Sequence, residues 1–270
     1  MRPYLAVFAG RFQLTLQYRA AALAGFATQC WWGAIKIMVY AAFFRMGGAS
    51  HISLSQTVTY TWLSQGFLAL APWSCDPEVA LAVKAGAVGY DRLRPLDGYA
   101  WWYARAAAWM SARAVPRAVL MFLAAGVGLP LLGLGQWAWR LPPNLAQGGL
   151  FCLSLLMVVA LSSAFVNLVN VVVAATLTDR GANNLVGPLV IVFSGNLIPL
   201  QLLPDWAQTG LFLQPFAGVV DIPFRIYFGG LAGAAAWAGI GMQVFWTLVF
   251  VLVGRIGFSA VMRRLKVQGG

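Results

Sequence analysis

Apolar residues run through this chain in blocks about twenty long, separated by short polar stretches. Six blocks, at 20–44, 54–73, 115–135, 149–176, 185–203 and 231–254, have the length a helix needs. A hydrocarbon core ~30 Å thick takes ~20 mostly apolar residues to cross. Ahead of them, Leu5, Phe8, Phe12 and Leu16 recur at helical spacing within 2–19, with Arg11, Gln13 and Gln17 on other faces. That stripe predicts a helix lying in the headgroup boundary, with an ordinary packed N-terminal helix as the alternative. The fifth block holds Gly187, Pro188, Gly195 and Pro199. Proline removes a backbone donor and glycine loosens the helix, so a bend or partial unwinding is expected there. Irregular backbone at membrane depth persists only where protein or a water-filled cavity shields it.

Composition makes lipid the solvent. Of the residues 61% are hydrophobic and 9% charged, against roughly 25% charged in a soluble domain. The net charge of +11 does not point to nucleic acid. A nucleic-acid binder gathers its bases on one soluble face among exposed aromatics, whereas these bases sit in the gaps between apolar blocks. With the N-terminus inside, fourteen of the eighteen Lys and Arg fall in inner segments. Only Arg45, Arg140 and Arg225 fall outside, and Lys36 lies within a block. This bias predicts both termini in the cytoplasm. Arg2, Arg11 and Arg19 interrupt the first twenty residues, which do not read as a removable signal peptide, so membrane entry is expected to begin with the first span.

Two connections stand out in what reads as a single membrane domain over 1–270. In the inner loop 74–114, Asp76, Pro77 and Glu78 form a helix start: an Asp cap, a Pro at the first position and an acid at the positive end of the dipole. That helix should run from Pro77 to Ala85 and stop at Gly86. A mixed-charge turn follows, from Tyr90 through Asp91, Arg92 and Arg94 to Asp97. Then come Trp101, Trp102, Tyr103, Arg105, Trp109 and Arg113, a composition suited to the interface. A short capped helix there has the form to dock into a partner's groove; a stiff connector is the alternative. The outer segment 204–230 is too apolar for a free loop, with Trp206, Leu211, Phe212, Leu213 and Phe216. It is expected to dip into the outer leaflet or pack on the bundle, with Asp221 and Arg225 paired on one helix face.

Polar residues inside spans cost free energy and must face the bundle, a cavity or another helix. Gln56, Thr57, Thr61, Ser64 and Gln65 in the second block, Ser163, Asn167 and Asn170 in the fourth, and Asn196 in the fifth are candidates for helix contacts or for a translocation path. Lys36 lies about 24 Å along the first span at ~1.5 Å per residue, where its stem could snorkel to the outer interface. The lone His51 reads as a solvated loop residue. Cys30, Cys75 and Cys152 have neither disulfide nor zinc spacing and read as small buried hydrophobes. None of the seven acids falls in mid-span, against a paired-aspartate protease or a proton-coupled carrier. No GxxxxGK[ST] occurs, so no P-loop cradles ATP.

Three stretches carry a family resemblance: SLSQTVTYTWLSQ (Ser53–Gln65), DPEVALAVKAGAVGYDRLRPLDGYAWWYARA (Asp76–Ala106), and FSGNLIPLQLLPDWAQ through PFAGVVDIPFRIYFGG (Phe193–Gly230). In these the chain resembles the ABC-2 type permeases of bacterial ABC exporters, in the six-span branch of about 260–270 residues. The resemblance implies an all-α membrane protein with six transmembrane helices, an N-terminal interfacial helix, a cytoplasmic coupling helix and outer re-entrant helices. It implies that Asp76, Pro77, Glu78 and Lys84, with Tyr90, Arg92, Arg94 and Asp97, couple to an ATP-binding subunit. It implies outer re-entrant helices over Pro204–Tyr227, carrying Trp206, Asp221 and Arg225. The partners are then two ATP-binding subunits and a second permease, identical or homologous. ATP and Mg sit on the partner, with no cofactor, metal or catalytic residue in this chain. The cargo is a hydrophobic or amphipathic small molecule such as a drug, toxin or natural product, exported across the bacterial inner membrane by alternating access. The competing classes are a membrane-embedded lipid-modifying enzyme, and a self-sufficient channel, carrier or scaffold.

Overall fold

The fold, a computed structural model, describes residues 2–47, 52–93 and 95–264. Among them every regular element is a helix. Helix α1 (Arg2–Leu16) and α2 (Arg19–Arg45) are joined by a two-residue break. Helix α3 (Leu54–Gly66) starts from a reciprocal cap: Gln56 donates its backbone N–H to the Ser53 hydroxyl, and the Gln56 side chain accepts from Ser53 N–H. Helix α4 (Pro77–Lys84) and α5 (Gly98–Leu123) follow. Beyond α5 the chain stays helical through a π turn (Ala124–Gly128) to Leu131.

Pro130 explains what closes that π turn. In the wider register the Ala125 carbonyl should take the N–H of residue 130, which a proline lacks. The N–H of Trp139 takes its place at 3.2 Å, and the Trp139 ring covers Gly126.

The remaining helices are α6 (Leu145–Thr176), α7 (Arg180–Phe193), α8 (Asp205–Leu213), α9 (Asp221–Tyr227) and α10 (Gly233–Arg264). Three helices are long and apolar enough to cross a membrane: Gly98–Leu131, Leu145–Thr176 and Gly233–Arg264. They expose large apolar side chains outward, including Leu123, Leu156, Leu248 and Leu252. A protein with such an exterior belongs in lipid. Helix α6 is the centre of the bundle and packs along α10 and α5; α1 lies on α5, and α2 on α3 and α5. Close approach is set by small residues, with Gly254 against the Tyr99 ring and Gly239 against Ile222.

The helix boundaries correct several expectations. The second block, 54–73, is α-helical only to Gly66, continues as a 3-10 turn (Leu68–Leu70) and then extends toward α4. Thirteen residues of helix reach only about 20 Å, and α3 is enclosed by its neighbours from Thr57 to Gly66. The helix of the third block, α5, starts at Gly98, so much of the loop 74–114 is helix; Asp97 caps it by accepting from Ala100 N–H at 2.7 Å. The fifth block, 185–203, unwinds as expected, but only after Phe193: Pro188 stays inside α7, and Gly195 carries φ +87°. Cys75 is buried, whereas Cys152 is exposed and Cys30 is intermediate. Cys152 lies on the outward stripe of α6 with Leu145 and Leu156. His51 lies outside the described residues.

Candidate functional site

Helix α4 is the best-anchored short element in the chain. The Asp76 carboxylate caps it, accepting from Glu78 N–H at 2.9 Å, and is fully buried. A buried carboxylate needs a cation and hydrogen bonds. Arg11 of α1 supplies the cation at 3.1 Å and also pairs with Glu78, which Arg105 of α5 holds from the other side. The N–H of Asp76 donates to Asn170 Oδ1 of α6 at 2.8 Å, and the N–H of Cys75 donates to Asn183 Oδ1 of α7 at 3.0 Å. At the far end Lys84 pairs with Asp179 at 2.8 Å, and its hydrogen bond holds the Asp179 carboxyl below the usual carboxylate range. Helix α4 ends where Gly86 takes φ +68°, a left-handed stop.

Of the residues read as a coupling surface, then, Asp76, Glu78 and Lys84 are tied into the body of the protein. The outward ridge consists of Pro77, Leu81, Lys84 and Tyr90, with Leu81 64% and Tyr90 67% exposed. Asp97 caps α5, accepts from Arg255 of α10, and donates its N–H to the Tyr4 hydroxyl of α1. Trp102 donates its indole N–H to Asp91 at 3.0 Å. Arg94 and the side chain of Arg92 lie outside the described residues.

A second site lies where α7 unwinds. Between Ser194 and Pro199 three successive carbonyls lose helical partners, and each is taken by a side chain. Tyr60 of α3 donates to Gly195 O at 3.0 Å, Lys36 of α2 to Asn196 O, and Tyr40 of α2 to Leu197 O at 3.1 Å. Lys36, read from sequence as a side chain that could snorkel, donates here to unwound backbone, whose carbonyls need a partner once helical bonds are lost. Gly195 is required on two counts, because a Cβ there would meet the Tyr60 hydroxyl at 2.5 Å and φ is positive. Asp221 follows directly, its N–H donating to Ser194 O at 3.2 Å. Its carboxylate pairs with Arg225 at 3.5 Å, the expected i,i+4 pair, with one carboxylate oxygen left bare. Trp206 on α8 stands 85% exposed.

The polar residues read as helix contacts or as a path lie mostly buried within the bundle. Thr57 and Thr61 bond carbonyls of their own helix, Asn167 donates to Tyr99 O at 3.3 Å, and Asn170 accepts from Asp76. Thr61, Gln65, Asn167, Asn170 and Asn196 are all buried. Gln56, partly exposed, lines a cleft of about 150 Å³ with Arg140 and Tyr227. Buried polar atoms without partners remain on Ser162, Ser163, Asn167, Asn170 and Asn196. Arg11, Tyr40 and Asn183 were not legible as site residues from sequence, because their partners are remote and no local pattern marks them; Lys36 stood out as a cation in an apolar block, but its partner did not.

Compared with models of protein families, with curated proteins and with solved structures, the chain matches none.

Proposed function

We propose that this chain is the permease subunit of an ATP-driven exporter in the bacterial cytoplasmic membrane, an ABC-2-like protein that hydrolyses no ATP itself. In this reading the chain crosses six times. Helices α2, α5, α6 and α10 are full crossings, and α3 and the interrupted α7 are short ones whose irregular ends are shielded by protein. Both termini are cytoplasmic, and α8 and α9 form the outer re-entrant pair. The observation that carries the reading is α4: a short helix bonded at both ends to the bundle, with Leu81 and Tyr90 turned outward. An element tied to α1, α5, α6 and α7 is a lever, because force on its outer ridge reaches several helices at once.

The partners are then two ATP-binding subunits, which carry ATP and Mg, and a second permease, identical or related. The cargo is a hydrophobic or amphipathic small molecule, a drug, toxin or natural product, exported by alternating access. Buried Thr61, Gln65, Asn167 and Asn170 belong to a closed state, and opening would expose them between helices. The test is co-purification with a P-loop ATPase and assay of the complex in liposomes. Leu81→Asp together with Tyr90→Ala should weaken association while membrane insertion is kept. Transport by the chain alone, without ATP, overturns the reading.

A further inference from the structure

At the end of the bundle where α1 turns into α2, a groove of about 670 Å³ opens between α1, α2 and α5. Its walls are apolar, with Leu16, Leu23 and Val119 all substantially exposed. Three arginines, Arg19, Arg113 and Arg117, line the same groove. Among the described residues none of the three pairs with a carboxylate, although Arg11, Arg105, Arg225 and Arg255 all do. Arg113 lies over the Trp109 ring, 4.5 Å from its centre. The Arg117 guanidinium rests against the α2 backbone at Gly25, where a Cβ would come within 2.7 Å of it. Its Nε is buried without a hydrogen-bond partner. Guanidinium groups held in place, uncompensated and beside an apolar trough make a receptor for an anion with a hydrocarbon tail.

We propose that this groove binds an anionic phospholipid of the surrounding bilayer, its phosphate held by Arg113 and Arg117 and one acyl chain lying along Leu16, Leu23 and Val119. Charge complementarity selects the occupant: planar, fork-shaped donors match phosphate oxygens two at a time. Basic pockets between membrane helices at the headgroup level are where anionic lipids are recognised. Arg19 opens α2, the helix of the first apolar block, and Arg113 and Arg117 line the same groove from α5, which puts the groove at that level. The proposal needs only that the protein sits in a bilayer, and does not rest on the transport reading.

The experiment is lipid retention by the full chain, measured by native mass spectrometry after exchange from vesicles of mixed phosphatidylglycerol and phosphatidylcholine. The intact protein should keep phosphatidylglycerol over phosphatidylcholine, and Arg113→Gln with Arg117→Gln should reduce that preference about tenfold, the scale of a charge-assisted hydrogen bond. Gly25→Ala, which improves the helix while displacing the Arg117 guanidinium, should reduce it several-fold and guards against a misfolded double variant. Arg263→Gln with Arg264→Gln, away from the groove, should leave it intact. Equal retention of both lipids overturns the proposal, as does an unchanged preference in the groove variants. So does an equal loss in the distant pair, or displacement of the lipid by millimolar inorganic phosphate, which would make free phosphate the ligand.

Discussion

The Arg11 guanidinium, on the first helix, neutralises the Asp76 carboxylate that caps α4, a pairing made across 65 positions of sequence. Asp76 is fully buried and Arg11 only 9% exposed, so neither charge has water to fall back on. Arg11→Ala strands the carboxylate and should destabilise the protein by about 3 kcal/mol, the cost of breaking a buried pair from one side. The exposed Arg2→Ala should stay within about 0.5 kcal/mol. Thermal unfolding in detergent, read side by side for the two variants, checks this. Equal midpoints would mean the α4 anchor is not built on this pair.

The other end of α4 is pH-sensitive in a defined direction. Hydrogen bonding to Lys84 lowers the Asp179 pKa below its ordinary 3.8. A carboxylate depressed by folding adds stability above its unfolded pKa and loses it as pH falls through the folded one. The Lys84–Asp179 link should therefore hold from neutral pH down to the ordinary Asp range and fail only below it. Asp179→Asn should remove that acid-side loss. Hydrogen exchange at the start of α7, followed from pH 6 to pH 2.5, is the measurement. Lys84 is half exposed, so added salt should shrink the effect.

What could be read from the chain divides by the range of the physics. The start of α4 is legible to the residue because its cap, proline and acid are neighbours, and its stop at Gly86 is a local left-handed turn. The Asp221–Arg225 pair is equally local. Span limits fared worse, since hydropathy reports composition and cannot see that α3 ends at Gly66 while the apolar run continues. The start of α5 at Gly98 was hidden by Arg105, Arg113 and Arg117, which look like loop until Glu78 accounts for the first and the groove for the other two. Lys36 was singled out as a cation within an apolar block, but its acceptor is a carbonyl 160 residues away that is free only because α7 unwinds. No window on the sequence contains both events.

Two glycines should respond in opposite senses to the same substitution. Gly195→Ala puts a Cβ 2.5 Å from the Tyr60 hydroxyl at φ +87°, which costs at least about 1 kcal/mol for the left-handed backbone alone. Gly210→Ala, within α8 and with nothing within 4 Å, should stabilise by about 0.5–1 kcal/mol through helix propensity. Tyr60→Phe in the Gly195→Ala background removes the clash but not the strain, so it should recover only part of the loss. Chemical denaturation in detergent of the three variants separates the terms; full recovery would show that φ at Gly195 carries no strain.

The contact between α6 and α10 is centred on one buried amide. Gln243 of α10 is fully buried; its Oε1 accepts from the Ser154 hydroxyl at 3.0 Å, and its Nε2 donates to Gly218 O at 2.7 Å and Ser154 O at 3.3 Å. One side chain thus joins α6, α10 and the turn at Pro215–Gly218 that precedes α9. Gly218 is required there, because a Cβ would meet Leu161 at 2.8 Å and Gln243 at 3.2 Å. In lipid no water replaces a lost partner, yet measured side-chain bonds between membrane helices are modest, so Gln243→Leu should cost about 1–2 kcal/mol. Ser154→Ala removes one bond of the three and should cost less. Since the donors and acceptors act as one network, the double variant should lose less than the sum of the singles. A double-mutant cycle on unfolding free energy measures the coupling, and strict additivity would show that the amide serves each helix separately.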